Sequence, residues 1–331
     1  MNEPMAHPRD ALFAGEKPFP TIPACEHIAG SEKLILKSFE LQEQLGPIFD
    51  LTCDCEDGAR AGQEIEHAKT VARLIAGPAN RLRMAGARIH DSTQEPWRRE
   101  VEILLSEAGH CISYLTLPKV SSADHAQVMI DFIRETSERL RLPREIPIHV
   151  LLETHGGIRD ADRIAALPGV QTLDFGLMDL VSAHRGAIPA SAMRSPGQFE
   201  HKLLVRAKAE LVAAALAHGV VPSEGVTLDI RNSESAFNDA RRARNEFGFL
   251  RKWSIHPSQI VPIVDAMKPE TAEVQAAASI LLAARAVSWG PTKFEGEMHD
   301  RATYRYYWEV LQKARITGMP LPTEAEQAFF G

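Results

Sequence analysis

Short runs of aliphatic and β-branched residues alternate along the chain with longer segments whose apolar residues recur every three or four positions. The short runs predict strands at residues 48–54, 83–89, 112–117, 146–152, 170–175, 226–230 and 252–255, with a weaker eighth at 21–24. The longer segments predict helices at residues 64–76, 96–108, 123–140, 161–167, 200–218 and 233–247. Strands that alternate with helices in this way predict βα units and a parallel sheet.

Two architectures fit such an alternation, a doubly wound open sheet and a closed (β/α)₈ barrel. About eight units in 331 residues, with polar residues at the strand ends, favour the barrel. From Trp289 the pattern becomes aromatic and charged, first hairpin-like and then helical. We therefore assign a catalytic barrel to residues 1–290 and a C-terminal extension or lid to residues 291–331.

Composition narrows the class of protein. A formal net charge of −7 offers no broad basic face, which argues against nucleic-acid binding. No run approaches 18 apolar residues, and the first residues lack a basic segment followed by an apolar one, so we expect no membrane span, no signal peptide and a cytoplasmic location. Four cysteines in a long chain are not a disulfide framework, and Cys53 and Cys55 are too closely spaced for a usual zinc half-site.

Charged side chains recur where the predicted strands end. Because strand side chains alternate faces, Asp50, Thr52, Asp54 and Glu56 share one face, which is costly unless these groups meet cations or hydrogen-bond donors. In a barrel the carboxyl ends of all strands meet at one rim, where carboxylates bind Mg²⁺ and an arginine binds a substrate carboxylate. Taken singly, each residue is also explained as a solvated strand end. The rim candidates are Glu56, Asp57, Arg88, Lys119, Glu153, Asp179, Asp229 and His256.

Seven local strings, in order, resemble the citrate lyase β-subunit and malyl-CoA lyase group of the HpcH/HpaI aldolase family. The resemblance extends from about residue 25 to residue 315. The strings are DCEDGA at 54–59, ARIH at 87–90, LPKV at 117–120, LLET at 151–154, FGLMDL at 175–180, GFLRKWSIHPSQI at 248–260 and GEMHD at 296–300.

The resemblance implies a (β/α)₈ barrel that assembles as a homotrimer or hexamer and binds Mg²⁺, with Mn²⁺ as a possible substitute. It also implies a lyase that breaks or forms a bond between an acyl-CoA enolate and a 2-oxo acid, so that CoA enters as part of the substrate. By position in the strings, Glu153 and Asp179 are the expected metal ligands. The alternatives are a rim salt bridge for Glu153 and a helix N-cap for Asp179.

Further roles follow from the same resemblance. Arg88 is expected to bind and polarise the 2-oxo acid as a catalytic residue, Lys119 to assist substrate binding, and Glu56 and Asp57 to order water around the metal. The alternative for Arg88 is an ion pair with Glu56 or Asp54, and for Lys119 it is a strand cap.

Asp300 matches a family aspartate that acts as acid/base and often comes from the neighbouring subunit. Its alternative is the N-cap of a helix that begins at Arg301.

Two departures from the family strings leave the use of CoA open. Residues 20–25 replace the family's arginine-containing opening strand, and His90 replaces an asparagine. Three alternatives to the lyase therefore remain: a malyl-CoA-type thioesterase, a CoA-independent metal-dependent aldolase, and a non-catalytic lyase subunit.

Overall fold

The computed structural model describes residues 7–16, 18–58 and 61–331. Eight strands form a closed barrel in which every neighbouring pair is parallel, with β1 beside β8. This confirms the predicted (β/α)₈ fold. The strands are β1 Cys25–Ala29, β2 Phe49–Asp54, β3 Ala85–Arg88, β4 Leu115–Leu117, β5 Ile148–Leu152, β6 Val170–Phe175, β7 Val221–Glu224 and β8 Arg251–Ser254.

Helices follow each strand and bury their apolar faces against the barrel. In the helix Glu64–Ala76, for example, Ala68, Val71, Ala72 and Ile75 are buried, the three-to-four spacing of one helix face. The helices of this unit are α2 Glu32–Leu45, α3 Glu64–Ala76, α4 Trp97–Ala108, α5 Ala123–Arg139, α6 His155–Arg159, α7 Ala161–Ala165, α8 Leu177–Ala183, α9 Lys202–Ala217, α10 Ser233–Arg242 and α11 Ile260–Met267, and a π-helical turn, Ala243–Phe247, follows α10.

Two predicted strands were wrong. The first strand is Cys25–Ala29 rather than 21–24, because Pro23 has no N–H to give to a ladder, whereas all of 25–29 pairs with β2. The seventh strand is Val221–Glu224, not 226–230. Pro222 argues against a strand by sequence, yet its carbonyl accepts from Leu250 N at 3.1 Å and it pairs with Leu173 of β6.

Consequently Asp229 does not end a strand. It lies exposed in the loop before α10, where its carboxylate accepts hydrogen bonds from Arg231 N, Asn232 N and Ser235 Oγ. This side chain organises a loop and is removed from the set of rim candidates.

The chain divides into two compact units, residues 23–267 and residues 1–22 with 268–331. The second contains α1 Pro8–Phe13, α12 Thr271–Ala286, the hairpin β9 Thr292–Phe294 and β10 Glu297–His299, α13 Arg301–Ile316 and α14 Thr323–Phe329. Leu281 of α12 belongs to the same apolar cluster as Trp308 and Leu311 of α13, so α12 is part of the second unit. The division therefore lies before α12, whereas the sequence placed the boundary at residue 290.

Two further expectations concern the whole chain. All four cysteines are free and buried. Among the described residues, no helix is both long and apolar enough to cross a bilayer.

Candidate active site

The carboxyl ends of β2 to β6 bring the predicted charged residues together at one mouth of the barrel. Arg88 is the last residue of β3, Glu153 follows β5, and Lys119 lies two residues beyond β4. Glu56 and Asp57 lie in the turn after β2. The closed parallel barrel aligns these ends, so charges far apart in sequence become neighbours.

Arg88 is held by three carboxylates. Its Nε and Nη2 donate to Asp54 Oδ1 and Oδ2, each at 2.8 Å, and Nη2 also donates to Asp57 Oδ2 at 3.0 Å. Nη1 lies 3.0 Å from Glu56 Oε2. Burial opposes the charge of Arg88, but these carboxylates outweigh it and raise its pKa, so the guanidinium stays cationic. The ion pair weighed as an alternative is therefore present, and Asp54 is its main partner.

Glu153 is buried, with 3% of its surface exposed. Its Oε1 accepts from the backbone N–H of Lys119 at 2.8 Å, and Lys119 adopts φ +51°, a left-handed conformation that non-glycine residues seldom take. Gly176 leaves the room that Glu153 needs, since a Cβ there would lie 2.4 Å from the Cβ of Glu153. Both features hold the Glu153 carboxylate in one place.

Burial, and next the charge of Asp179, raise the pKa of Glu153 to about 8. Asp179 is exposed in the first turn of α8, and its charge also acts on Lys119. Lys119 Nζ itself donates to Glu56 Oε1 at 2.5 Å. Glu153 and Asp179 thus repel each other across the mouth while the nearby cations are bound to other carboxylates. These two carboxylates, which lack a cation between them, provide the oxygen ligands that a hard divalent cation such as Mg²⁺ prefers. Such a cation would displace the proton from Glu153.

Asp300 lies in the second compact unit and is exposed. Its Oδ1 accepts from Ala302 N at 2.9 Å, and together with Thr303 it forms a capping box at the start of α13. The N-cap role is therefore present. The acid/base role stays a prediction.

His256 also has a local role. Its Nδ1 accepts from Ser258 N at 3.3 Å at the start of the short 3₁₀ helix Pro257–Gln259. This hydrogen bond positions the loop that follows β8.

A second group of charges fills the barrel interior, hereafter the lumen cluster, and the sequence did not predict it. Glu26, His149 and Asp174 are fully or almost fully buried, and each offers a ligand atom within 4.8 Å of the others. Arg251 already pairs with Glu26 at 2.6 Å and with Asp50 at 2.5 Å. A guanidinium is therefore the built-in counter-ion of these carboxylates.

Three atoms of the lumen cluster have no hydrogen-bond partner among the described residues, namely His149 Nδ1, Asp174 Oδ1 and Arg251 Nε. Burial, and next the charge of Glu26, raise the pKa of Asp174 to about 7, so this carboxyl takes up a proton readily. Alternation along β1, β5 and β6 gives the inward face of each strand, but not which inward residues face one another.

The profile of the HpcH/HpaI aldolase/citrate lyase family matches residues 50–257, the part of the chain that carries the mouth and most of the barrel. The chain belongs to this family. The resemblance in the sequence strings is thereby confirmed.

Solved structures and curated relatives agree with the family. A citrate lyase structure from Burkholderia xenovorans is 49% identical, with a TM-score of 0.85, over 98% of this chain and 100% of that one. The L-malyl-CoA/beta-methylmalyl-CoA lyase of Cereibacter sphaeroides is 23% identical over 80% of this chain and 87% of its own length. The protein CitE of Mycobacterium tuberculosis, solved with magnesium, acetoacetate and coenzyme A, is 24% identical, with a TM-score of 0.66, over 89% and 98% of the two chains.

Proposed function

We propose that this protein is a Mg²⁺-dependent carbon–carbon lyase that cleaves or forms a 3-hydroxyacyl-CoA from an acyl-CoA and a 2-oxo acid. The observation that carries the proposal is the pair of carboxylates Glu153 and Asp179 at the same mouth as Arg88, with Glu153 buried and short of positive charge. A 2-oxo acid offers the two features that such a mouth would recognise, an anionic carboxylate and a polarisable carbonyl.

Glu153 and Asp179 would hold the metal. When bound, the ion would supply Lewis-acid stabilisation of the negative charge that develops on the substrate hydroxyl oxygen as its proton leaves. The backbone N–H of Lys119 fixes Glu153 for this role, and Gly176 leaves the space for it. Glu56 links Lys119 to Arg88, so it holds both cations at the mouth.

Arg88 would bind the carboxylate of the 2-oxo acid. Of its three protein partners, Asp54 and Glu56 are buried, whereas the side chain of Asp57 is 72% exposed. Asp57 is therefore the partner that an incoming carboxylate displaces most readily. Among the described residues, none accepts the second N–H of Nη1, which gives the substrate a further donor.

The choice of thioester rests on the relatives, one of which is an L-malyl-CoA/beta-methylmalyl-CoA lyase. The test is a panel of L-malyl-CoA, β-methylmalyl-CoA, free malate and free citrate, assayed for released oxo acid and CoA by mass spectrometry with Mg²⁺, Mn²⁺ or EDTA. We expect oxo acid and acyl-CoA from a thioester, and none with EDTA or in Glu153→Gln. The exposed Glu107→Gln of α4 is the matched control and should be unaffected.

Other outcomes separate the alternatives. Free CoA without oxo acid would indicate a thioesterase, and turnover of a free hydroxy acid with inert thioesters would indicate a CoA-independent aldolase. Turnover that survives both EDTA and Glu153→Gln would contradict the metal mechanism.

A further inference from the structure

A histidine–carboxylate pair stands at the end of β3, two residues beyond Arg88. His90 Nδ1 lies 2.7 Å from Glu100 Oε1, and the backbone N–H of His90 donates to Glu100 Oε2 at 2.9 Å. Glu100 projects from α4 and is completely buried, while the His90 side chain keeps 13% of its surface exposed. Both oxygens of one buried carboxylate thus fix the position of one imidazole.

This arrangement sets the tautomer of the ring. A carboxylate accepts hydrogen bonds, so the Nδ1 of His90 carries the proton, and the lone pair of neutral His90 is on Nε2. Nε2 has no hydrogen-bond partner among the residues that the structure describes. An imidazole oriented by a buried carboxylate, with its second nitrogen available, is the form of a general base.

The position of His90 connects it to the mouth. β3 ends at Arg88, and His90 lies two residues beyond it in the β3–α4 loop, on the face of the barrel where the strand carboxyl ends form the mouth. Ile89 between them donates its N–H to Thr116 O at 3.2 Å and is buried in the apolar core. The charge of Glu56, which contacts Arg88 and Lys119, acts on His90, as does that of Glu64 at the start of α3. His90 therefore lies in the electrostatic field of the same site.

We propose that His90, oriented by Glu100, carries the proton that moves from oxygen to carbon during cleavage. This inference rests on the proposed lyase function. It assigns the acid/base step to a residue of the barrel, whereas the family resemblance suggested Asp300 for it.

The step balances without a co-reactant. In cleavage, His90 Nε2 takes the proton of the substrate 3-hydroxyl, and the O–H electron pair becomes the carbonyl bond of the 2-oxo acid. The electron pair of the breaking carbon–carbon bond passes to the acyl-CoA as its enolate. The imidazolium then returns the proton to the enolate carbon, so one proton has moved and His90 is neutral again. Glu100 is a positioning residue, because it acts only through the ring.

The surroundings define the pH dependence. The hydrogen bond from Glu100 raises the pKa of His90, burial opposes this, and the charges of Glu100, Glu56 and Glu64 raise it further. The net pKa lies above the ordinary value of 6.5, so the basic form accumulates only above that pH. The cleavage rate should therefore rise with pH through the pKa of His90.

Three variants test the inference with the thioester of the panel that the wild-type protein cleaves fastest. His90→Asn keeps a donor for Glu100 but removes the base, so we expect kcat to fall about 100-fold and the acid limb of the pH profile to disappear. Glu100→Gln keeps the shape but removes the charge, so the acid limb should move to lower pH. His218→Asn removes a surface histidine that pairs with Asp162 at 2.9 Å and should change neither quantity.

An NMR titration of the imidazoles gives a readout that needs no turnover. The His90 resonance, assigned by multidimensional NMR in the wild-type protein, should titrate above pH 6.5 there and at lower pH in Glu100→Gln. This readout does not depend on whether His90→Asn folds. A His90→Asn protein that keeps kcat and the acid limb, while the wild type is an active lyase, overturns the assignment alone. A wild-type protein that releases no oxo acid from any panel member overturns the proposed function together with it.

Discussion

The mouth and the lumen of this barrel contain the same kinds of side chain but use them differently. In the lumen, Arg251 is buried between Glu26 and Asp50, within a closed interior. At the mouth, Arg88 and Lys119 are tied to carboxylates on one side, and the Glu153–Asp179 pair repels itself on the other. Removing the counter-ion of a buried charge destabilises the fold, whereas a charge left uncompensated beside solvent is available to a ligand. The predictions below test this distinction.

The largest effect should come from the two proposed metal ligands at the mouth. Glu153→Gln and Asp179→Asn remove donors to an ion whose Lewis-acid effect is worth several kcal/mol, so we expect kcat to fall by about a thousandfold. Thermal unfolding should change little in either variant, because neither side chain forms an ion pair with a buried cation in the described part of the chain. Kinetics and circular dichroism on the same preparations check both parts.

Arg251→Met should mainly reduce the stability of the protein, in contrast to the variants at the mouth. It leaves Glu26 and Asp50 without their counter-ion in a closed interior, which should destabilise the protein by about 3–5 kcal/mol. Chemical unfolding measures this. Arg206→Met is the control, since Arg206 forms an exposed pair with Glu210 that solvent screens, so its loss should change the stability little. Equal losses in the two variants would refute the structural role of the lumen cluster.

Arg88→Lys separates binding from folding at the mouth. A lysine keeps the charge but loses the fork that bonds Asp54 twice and that would bind the substrate carboxylate, so we expect kcat/KM to fall about 10- to 100-fold. The midpoint of thermal unfolding should move less than in Arg251→Met. An unchanged kcat/KM would remove Arg88 from the substrate site.

Metal affinity should depend on pH through Glu153. The pKa of this carboxyl is raised to about 8 in the metal-free protein, so its proton competes with the ion below that pH. The dissociation constant for Mn²⁺, measured by calorimetry, should therefore fall about tenfold per unit as the pH rises from 6 to 8 and then level off. Affinity that is flat over this range would contradict the proposed ligand.

Asp300 should have a modest effect on stability. Asp300→Ala removes the N-cap of α13 and should cost about 1 kcal/mol, while Asp300→Asn should retain the cap. If Asp300 also serves catalysis, kcat falls in both variants. If kcat is unchanged in Asp300→Asn, the residue is only a cap.

The sequence predicted the barrel because its strands and helices have distinct periodicities, and it failed where a proline interrupts them. The carbonyl of Pro222 still accepts a hydrogen bond within the sheet, and this contribution cannot be seen in the pattern of apolar residues. The residues around the mouth were predictable because all lie at or a few residues beyond the carboxyl end of a strand. Which carboxylate holds Arg88 was not, because Asp54 and Glu56 share one face and only the register between β2 and β3 places Asp54 opposite Arg88.

His90 shows a similar limit. As a single position it is a departure from the family strings, and only the packing of α4 against the end of β3 brings Glu100 to its Nδ1. The lumen cluster depends on strands far apart in sequence, so its pairing of Arg251 with Glu26 had no local signal.

Crystals of the protein soaked with Mn²⁺ and measured for anomalous scattering test the central claim most directly, because the ion reports its own position. The account predicts one strong peak at the mouth, coordinated by Glu153 and Asp179. A peak in the lumen between Glu26, His149 and Asp174, with none at the mouth, would contradict it.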